Sequence, residues 1–151
     1  MYLLDTSIVS NFLDERRFYP QLTAKILSQP PESIFTSIIT VEEILQGALA
    51  SVQKTKRKPS VVAAYKYFEE LFSALNQFQI LSYSAEAEQI YQALPAKIKR
   101  IGTQDCRIAA IAKAHKLTVV TVNTNDFMGI GLVDIEPTFR TSKRSIKQSE
   151  K

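Results

Sequence analysis

The chain is 151 residues long, 45% hydrophobic and 23% charged, with a net charge of +4, the size and balance of one soluble domain able to close a core. No apolar run approaches the ~20 residues that span a bilayer, and the N-terminus lacks the basic and apolar regions of a secretory signal. The one cysteine, Cys106, cannot form an internal disulfide, so no oxidising compartment is needed and the cytoplasm is the expected location.

Tyr2-Leu3-Leu4 reads as a short buried strand that ends in a carboxylate, Asp5. Ser7 to Leu13 and Leu22 to Leu27 read as short helical pieces split near Pro20, and Ser33 to Ser37 as a second strand after Pro30-Pro31. A helix is expected over Thr40–Val52, then a basic loop from Lys54 to Lys58 closed by Pro59. Val61, Tyr65, Phe68, Phe72 and Leu75 recur at helical spacing and predict a long amphipathic helix. Phe78 to Tyr83 is strand-like, and Ser84 to about Lys99 is helical, with Ala87, Ile90, Tyr91 and Leu94 inward and a break or kink at Pro95. Thr103 to His115 is a further helix with Ile108, Ile111, Ala112 and His115 on one side. Leu117 to Thr121 is the clearest strand and Leu132 to Ile135 the last. Short apolar strands alternating with helices predict an α/β domain, a mostly parallel sheet of four or five strands with helices on both faces.

The charge is uneven. From Phe139 onward five basic residues face one acid, while the fourteen basic and fourteen acidic residues before it cancel. Residues 1–137 are therefore read as the folded domain and 138–151 as a basic, disordered tail.

Ligands of open α/β sheets gather beyond the carboxyl ends of the strands, and four acids fall there: Asp5, Glu43, Asp105 and Asp126. Each has a local explanation. Asp5 suits a helix cap, Thr40-Val41-Glu42-Glu43 fits a capping box, Asp105 sits in a first turn where the dipole favours it, and Asp126 lies among turn formers. Together these explanations weaken. Two like charges about 4 Å apart repel by about 4 kcal/mol at an effective dielectric near 20, and those segments supply no histidine or matched basic residue. A divalent cation relieves that repulsion. An all-oxygen set suits Mg2+ or Mn2+ rather than zinc, and such ions serve phosphate chemistry.

Four blocks carry a family likeness: Leu4-Asp5-Thr6-Ser7, Ser37 to Gly47, Asp105-Cys106-Arg107-Ile108-Ala109-Ala110, and Thr121-Val122-Asn123-Thr124-Asn125-Asp126-Phe127. In this order and spacing the chain, from Met1 to about Pro137, resembles the PIN-domain ribonucleases, and within them the VapC-type toxins of toxin–antitoxin pairs. The resemblance implies a PIN-like fold and Mg2+- or Mn2+-dependent hydrolysis of RNA phosphodiester bonds. It matches Asp5, Glu43 and Asp105 to the acidic metal-site residues. Glu43 rather than Glu42 is the counterpart, because it precedes Ile44 and lies four before Gly47. Many relatives have an aspartate at Asn123; this chain follows the pattern in which an acid, Asp126, comes three later, so Asp126 supplies charge and Asn123 orients water, ligand or loop. Thr6 matches a supporting hydroxyl. The proton acceptor stays open between Asp105 and Asp126, as does the choice of one or two ions. The resemblance further implies a homodimer and a cognate antitoxin, whose peptide would lie in a groove formed by the segments Phe12–Leu27 and Val61–Leu75, a helix-in-groove mode.

Lys97, Lys99 and Arg100, near Asp105, are candidate RNA-binding residues, and so are Lys56 and Arg57 in the basic loop. His115 is read as packing or half exposed rather than catalytic, Cys106 as a small core filler, and Tyr65, Tyr67, Phe68 and Phe72 as core or interface. Three rival readings are an inactive PIN-like module that binds RNA or protein, a phosphatase with Asp5 as nucleophile, and a structural domain whose acids are caps.

Overall fold

The computed structural model describes residues 1–14, 19–55 and 59–137. Five short strands, β1 (Tyr2–Leu4), β2 (Ile34–Ser37), β3 (Gln79–Leu81), β4 (Thr118–Thr121) and β5 (Ile135–Pro137), pair in the order β3-β2-β1-β4-β5. Every neighbouring pair is parallel, with Leu3 opposite Phe35 on one side and Val119 on the other. Parallel strands need crossovers, and here helices make them. α1 (Thr6–Leu13) and α2 (Pro20–Ser28) link β1 to β2; α3 (Ile38–Lys54) and α4 (Ser60–Leu75) link β2 to β3. α5 (Ala85–Gln92), α6 (Ala96–Lys99) and α7 (Thr103–His115) lead back to β4, and α8 (Thr124–Ile130) leads to β5.

Side-chain alternation along the central strands divides the core into two layers. Leu3 and Val119 point to one face, where Ile108 and Ile111 of α7 and Phe127 and Ile130 of α8 meet them. Leu4 and Val120 point to the other, against Ile8 and Val9 of α1, Leu22 and Ile26 of α2, and Leu75 of α4. Leu3, Leu4, Ile8, Ile108, Ile111 and Phe127 are wholly buried, each contributing about 1.5–3 kcal/mol relative to exposure. α7 is buried on several sides, Cys106 and Ile108 to Ala112 all lying inside. The buried Cys106 thiol, pushed up by burial, is a core filler as its sequence context predicts. His115 is exposed.

The expected α/β architecture is present, with five strands and helices on both faces; three of its details differ from the expectation. α3 begins at Ile38 rather than Thr40, because Ser37 at the end of β2 is its cap and accepts a hydrogen bond from the Thr40 N–H at 3.2 Å. The break expected at Pro95 is present: α5 stops at Gln92, and Pro95 is the N-cap residue of α6. The last strand starts at Ile135, not Leu132: Gly131, at φ +73°, ends α8 in the left-handed conformation. Leu132 and Val133 pack on the core from the following loop. On α4 the buried residues are Leu71 and Leu75, while Tyr65 and Phe72 stand exposed with Val62 and Tyr67. Its less exposed line runs through Val61, Ala64, Phe68, Leu71 and Leu75. Among the described residues no helix is long and apolar enough to cross a membrane. Lys56, Arg57 and residues 138–151 lie outside the described residues.

Candidate active site

The winding reverses between β1 and β4: the chain leaves β1 toward β2, and comes back to β4 on the opposite flank of β1. The crevice beyond the carboxyl ends of these two strands is a topological switch point. Helices that follow parallel strands run back along the sheet, so α1, α3, α7 and α8 all begin near this edge. The sequence-predicted acids arrive on four of these segments: Asp5 at the end of β1, Glu43 on α3, Asp105 in the first turn of α7 and Asp126 in the first turn of α8.

Asp5 is 1% exposed, and it is the N-cap of α1, accepting from the Ile8 N–H at 3.0 Å. The cap explanation thus holds for Asp5, but it describes only one of its oxygens. Oδ1 also accepts from Ser7 Oγ at 2.6 Å, and Oδ2 accepts from Thr121 Oγ1 at 2.5 Å. With two hydrogen bonds on Oδ1 and one on Oδ2, Oδ2 retains a lone pair to offer a cation. Burial pushes the Asp5 carboxyl above its ordinary range, against the pull of these donors.

Glu43 is not part of a capping box. With Ser37 as cap, it sits in the second turn of α3, where its Oε1 accepts from Thr6 Oγ1 at 2.8 Å. Thr6 also lies 3.1 Å from Thr40 Oγ1. Since its single proton goes to Glu43, Thr40 is the donor to Thr6. Glu42 faces elsewhere, its Oε2 accepting from Gln104 Nε2 at 3.1 Å.

Asp105 is half-buried and makes no side-chain cap; Gly102 occupies the cap position. Its carboxyl is pushed up to about 6, first by burial and then by the charges of Asp5, Glu43 and Asp126. Every charge acting on it is negative. Asp126 is exposed, one turn into α8, and close enough to add to that field. Asn123, also exposed, stands at the α8 cap position without a side-chain cap bond, and its N–H donates to Thr121 Oγ1 at 2.8 Å.

Among the described residues no three acidic, histidine or cysteine side chains already surround one ion position, as expected of like charges that repel. The donor chemistry nevertheless fits a hard divalent cation: carboxylates only, with hydroxyls behind them and no thiolate or imidazole.

The candidate RNA-binding cations separate. Lys97 and Arg100 are exposed on and just after α6. Lys99 is engaged elsewhere: its Nζ donates to the Gln92 carbonyl at 3.3 Å and lies 5.0 Å from the centre of the Tyr91 ring. Sequence reasoning missed Ser7, Thr40, Gln104 and Thr121. Of these only Thr121 carries a sequence signal, a hydroxyl residue closing the apolar strand Val119-Val120-Thr121.

The sequence matches the PIN domain family over residues 2–129. It is 32% identical over 145 residues to the plasmid stability protein StbB of Pseudomonas syringae pv. tomato, covering 91% of this chain and 98% of that protein. It is 33% identical over 141 residues to the VapC ribonuclease Y4jK of Sinorhizobium fredii, covering 91% and 97%. Among solved structures, a toxin–antitoxin complex from Klebsiella pneumoniae contains a chain that superposes with a TM-score of 0.65 at 25% identity, over 93% of this chain and 100% of that one. Sequence and architecture agree over the same stretch, and the chain belongs to the PIN domain family.

Proposed function

We infer that this protein is the nuclease toxin of a toxin–antitoxin pair, a Mg2+- or Mn2+-dependent endoribonuclease acting at the β1–β4 switch point. The observation that carries the reading is the convergence of four acids from separate segments, with Asp5, Glu43 and Asp126 all close enough to act on the charge of Asp105. Likeness to a VapC ribonuclease supports the nuclease class. A divalent cation, when bound, supplies positive charge against the phosphate oxygens and acidifies an attacking water. Asp5, Glu43 and Asp105 would hold it, and Asp126 adds negative charge at the rim. Thr6 fixes Glu43, and the Asn123 amide orients substrate or water. Exposed Lys97 and Arg100 draw the phosphate backbone toward α7, which makes binding fall with salt.

Likeness to a toxin–antitoxin complex supports an antitoxin partner. The segments that the family likeness assigns to its groove carry exposed apolar side chains: Leu27, Val62, Tyr65 and Phe72. A homodimer, a cytoplasmic location and a tail from residue 138 that is dispensable for cutting complete the reading.

Cleavage of short RNA by the purified chain tests it. Cutting is expected with Mg2+ or Mn2+ and none with chelator, and Asp5→Asn or Asp105→Asn should lose roughly a hundredfold or more. Undiminished cutting in chelator, with contaminating nuclease excluded, removes the metal mechanism. RNA binding without any cutting decides for the inactive module. Sedimentation gives the dimer, and co-purification with the product of an adjacent short reading frame gives the antitoxin.

A further inference from the structure

We propose that Thr121 and Ser7 are positioning residues that lock Asp5 to the loop between β4 and α8, so that the first carboxylate and the segment bearing Asn123 and Asp126 move as one unit. The argument is one of donors and acceptors. Ser7 Oγ lies 2.6 Å from Asp5 Oδ1 and 3.3 Å from the backbone nitrogen of Val122. Thr121 Oγ1 lies 2.5 Å from Asp5 Oδ2 and 2.8 Å from the backbone nitrogen of Asn123. A backbone N–H only donates, so each hydroxyl accepts from the loop and has its single proton left for Asp5. Two consecutive amides of the loop are thereby tied, through two hydroxyls, to the two oxygens of one carboxylate.

The lock is built into the core rather than laid on the surface. Thr121 is 0% and Asp5 1% exposed, so water does not substitute for a missing hydroxyl. A backbone bond reinforces it, the Asp5 N–H donating to the Val120 carbonyl at 3.1 Å. Thr6, between Asp5 and Ser7, works in the opposite direction and reaches Glu43 at 2.8 Å. Three successive residues at the start of α1 therefore divide their duties. Asp5 and Ser7 hold the β4 side of the crevice, and Thr6 holds the α3 side.

The proposal rests on the reading of Asp5 as a metal-site residue, and its test separates the two. Thr121→Val keeps the shape and removes the hydroxyl; Thr121→Ser keeps the hydroxyl. The intact chain is studied in chelator by residue-resolved amide exchange, and then titrated calorimetrically with Mn2+ alone. In Thr121→Val the Asn123 amide should exchange roughly tenfold faster, with the amides of Leu3 and Val119 unchanged. The Mn2+ dissociation constant should rise about 10- to 100-fold. Thr121→Ser should restore both, and Ser7→Ala should free the Val122 amide instead. Unchanged Asn123 exchange in Thr121→Val, or no rescue by serine, overturns the lock. Equal Mn2+ affinity in wild type and Asp5→Asn, or none in either, overturns the metal-site reading, while the exchange measurement still decides the lock. A uniform loss of protection throughout Thr121→Val assigns the hydroxyl to general stability and also overturns the proposal.

Discussion

Thr6 Oγ1 donates to Glu43 Oε1 at 2.8 Å, so the first turn of α1 supports an acid on α3, 37 residues away in the chain. The bond makes Thr6 a support for the orientation of Glu43. Thr6→Val should lower RNA cleavage about tenfold with little change in melting temperature, and Thr6→Ser should retain activity. Equal rates in wild type and the valine variant would separate Thr6 from the site.

Glu42 and Glu43 are adjacent and differ in partner, Gln104 for one and Thr6 for the other. Glu43→Gln should cut the rate at least roughly tenfold while the fold survives, since Ser37 and not Glu43 caps α3. Glu42→Gln should leave the rate near wild type. Parallel rate measurements with circular dichroism check the pair, and equal losses would contradict the assignment.

Asp105 gives the metal-free protein a pH dependence whose sign is fixed. Its folded carboxyl titrates at about 6, above the ordinary aspartate value of about 3.9. The folded state therefore binds the proton more tightly between those values. Its stabilising effect is full below the ordinary value and is lost as pH rises through about 6. In chelator, lowering the pH from about 8 to about 5 should raise the wild-type melting temperature relative to Asp105→Asn. At the upper pH, Asp105→Asn should be the more stable of the two, having shed a charge among three others. Mn2+ should reverse that order. Identical pH profiles would mean that Asp105 stands outside the acidic field.

Gly47 lies exposed in the middle of α3, and a methyl group there would meet no atom within 4 Å. A mid-helix glycine loses about 0.5–1 kcal/mol relative to alanine. Gly47→Ala should accordingly raise the midpoint of chemical denaturation by about that amount. A destabilised variant would reveal that this surface is covered in solution.

The bounds of α7, Thr103–His115, were legible in the sequence and are those of the structure. The four acids were legible as a group through their positions after strands. The start of α3 was not. Ile38-Ile39 continues the apolar pattern of β2, so the place where strand becomes helix depends on where the sheet stops pairing, which is a tertiary fact. Tyr65 and Phe72 lie on the stripe that spacing alone suggests and were read as core or interface; they stand exposed, while Leu71 and Leu75 are buried. Lys99 looked free in sequence, yet Tyr91 and the Gln92 carbonyl engage it across the Pro95 break. Thr121 was invisible because its partner lies 116 residues earlier in the chain.

That same separation has a consequence for synthesis. β1 is central, and it is flanked by strands from both halves of the chain. Contacts between remote segments form late, since their closure entropy must be met before they bring any stabilisation. A nascent chain that has exposed Asp5, Glu43 and even Asp105 still lacks β4, and with it the hydroxyl that holds Asp5 and the wall that shuts the crevice. The β4 side of the crevice, with the hydroxyl that holds Asp5, can therefore form only after the chain has been made as far as Thr121.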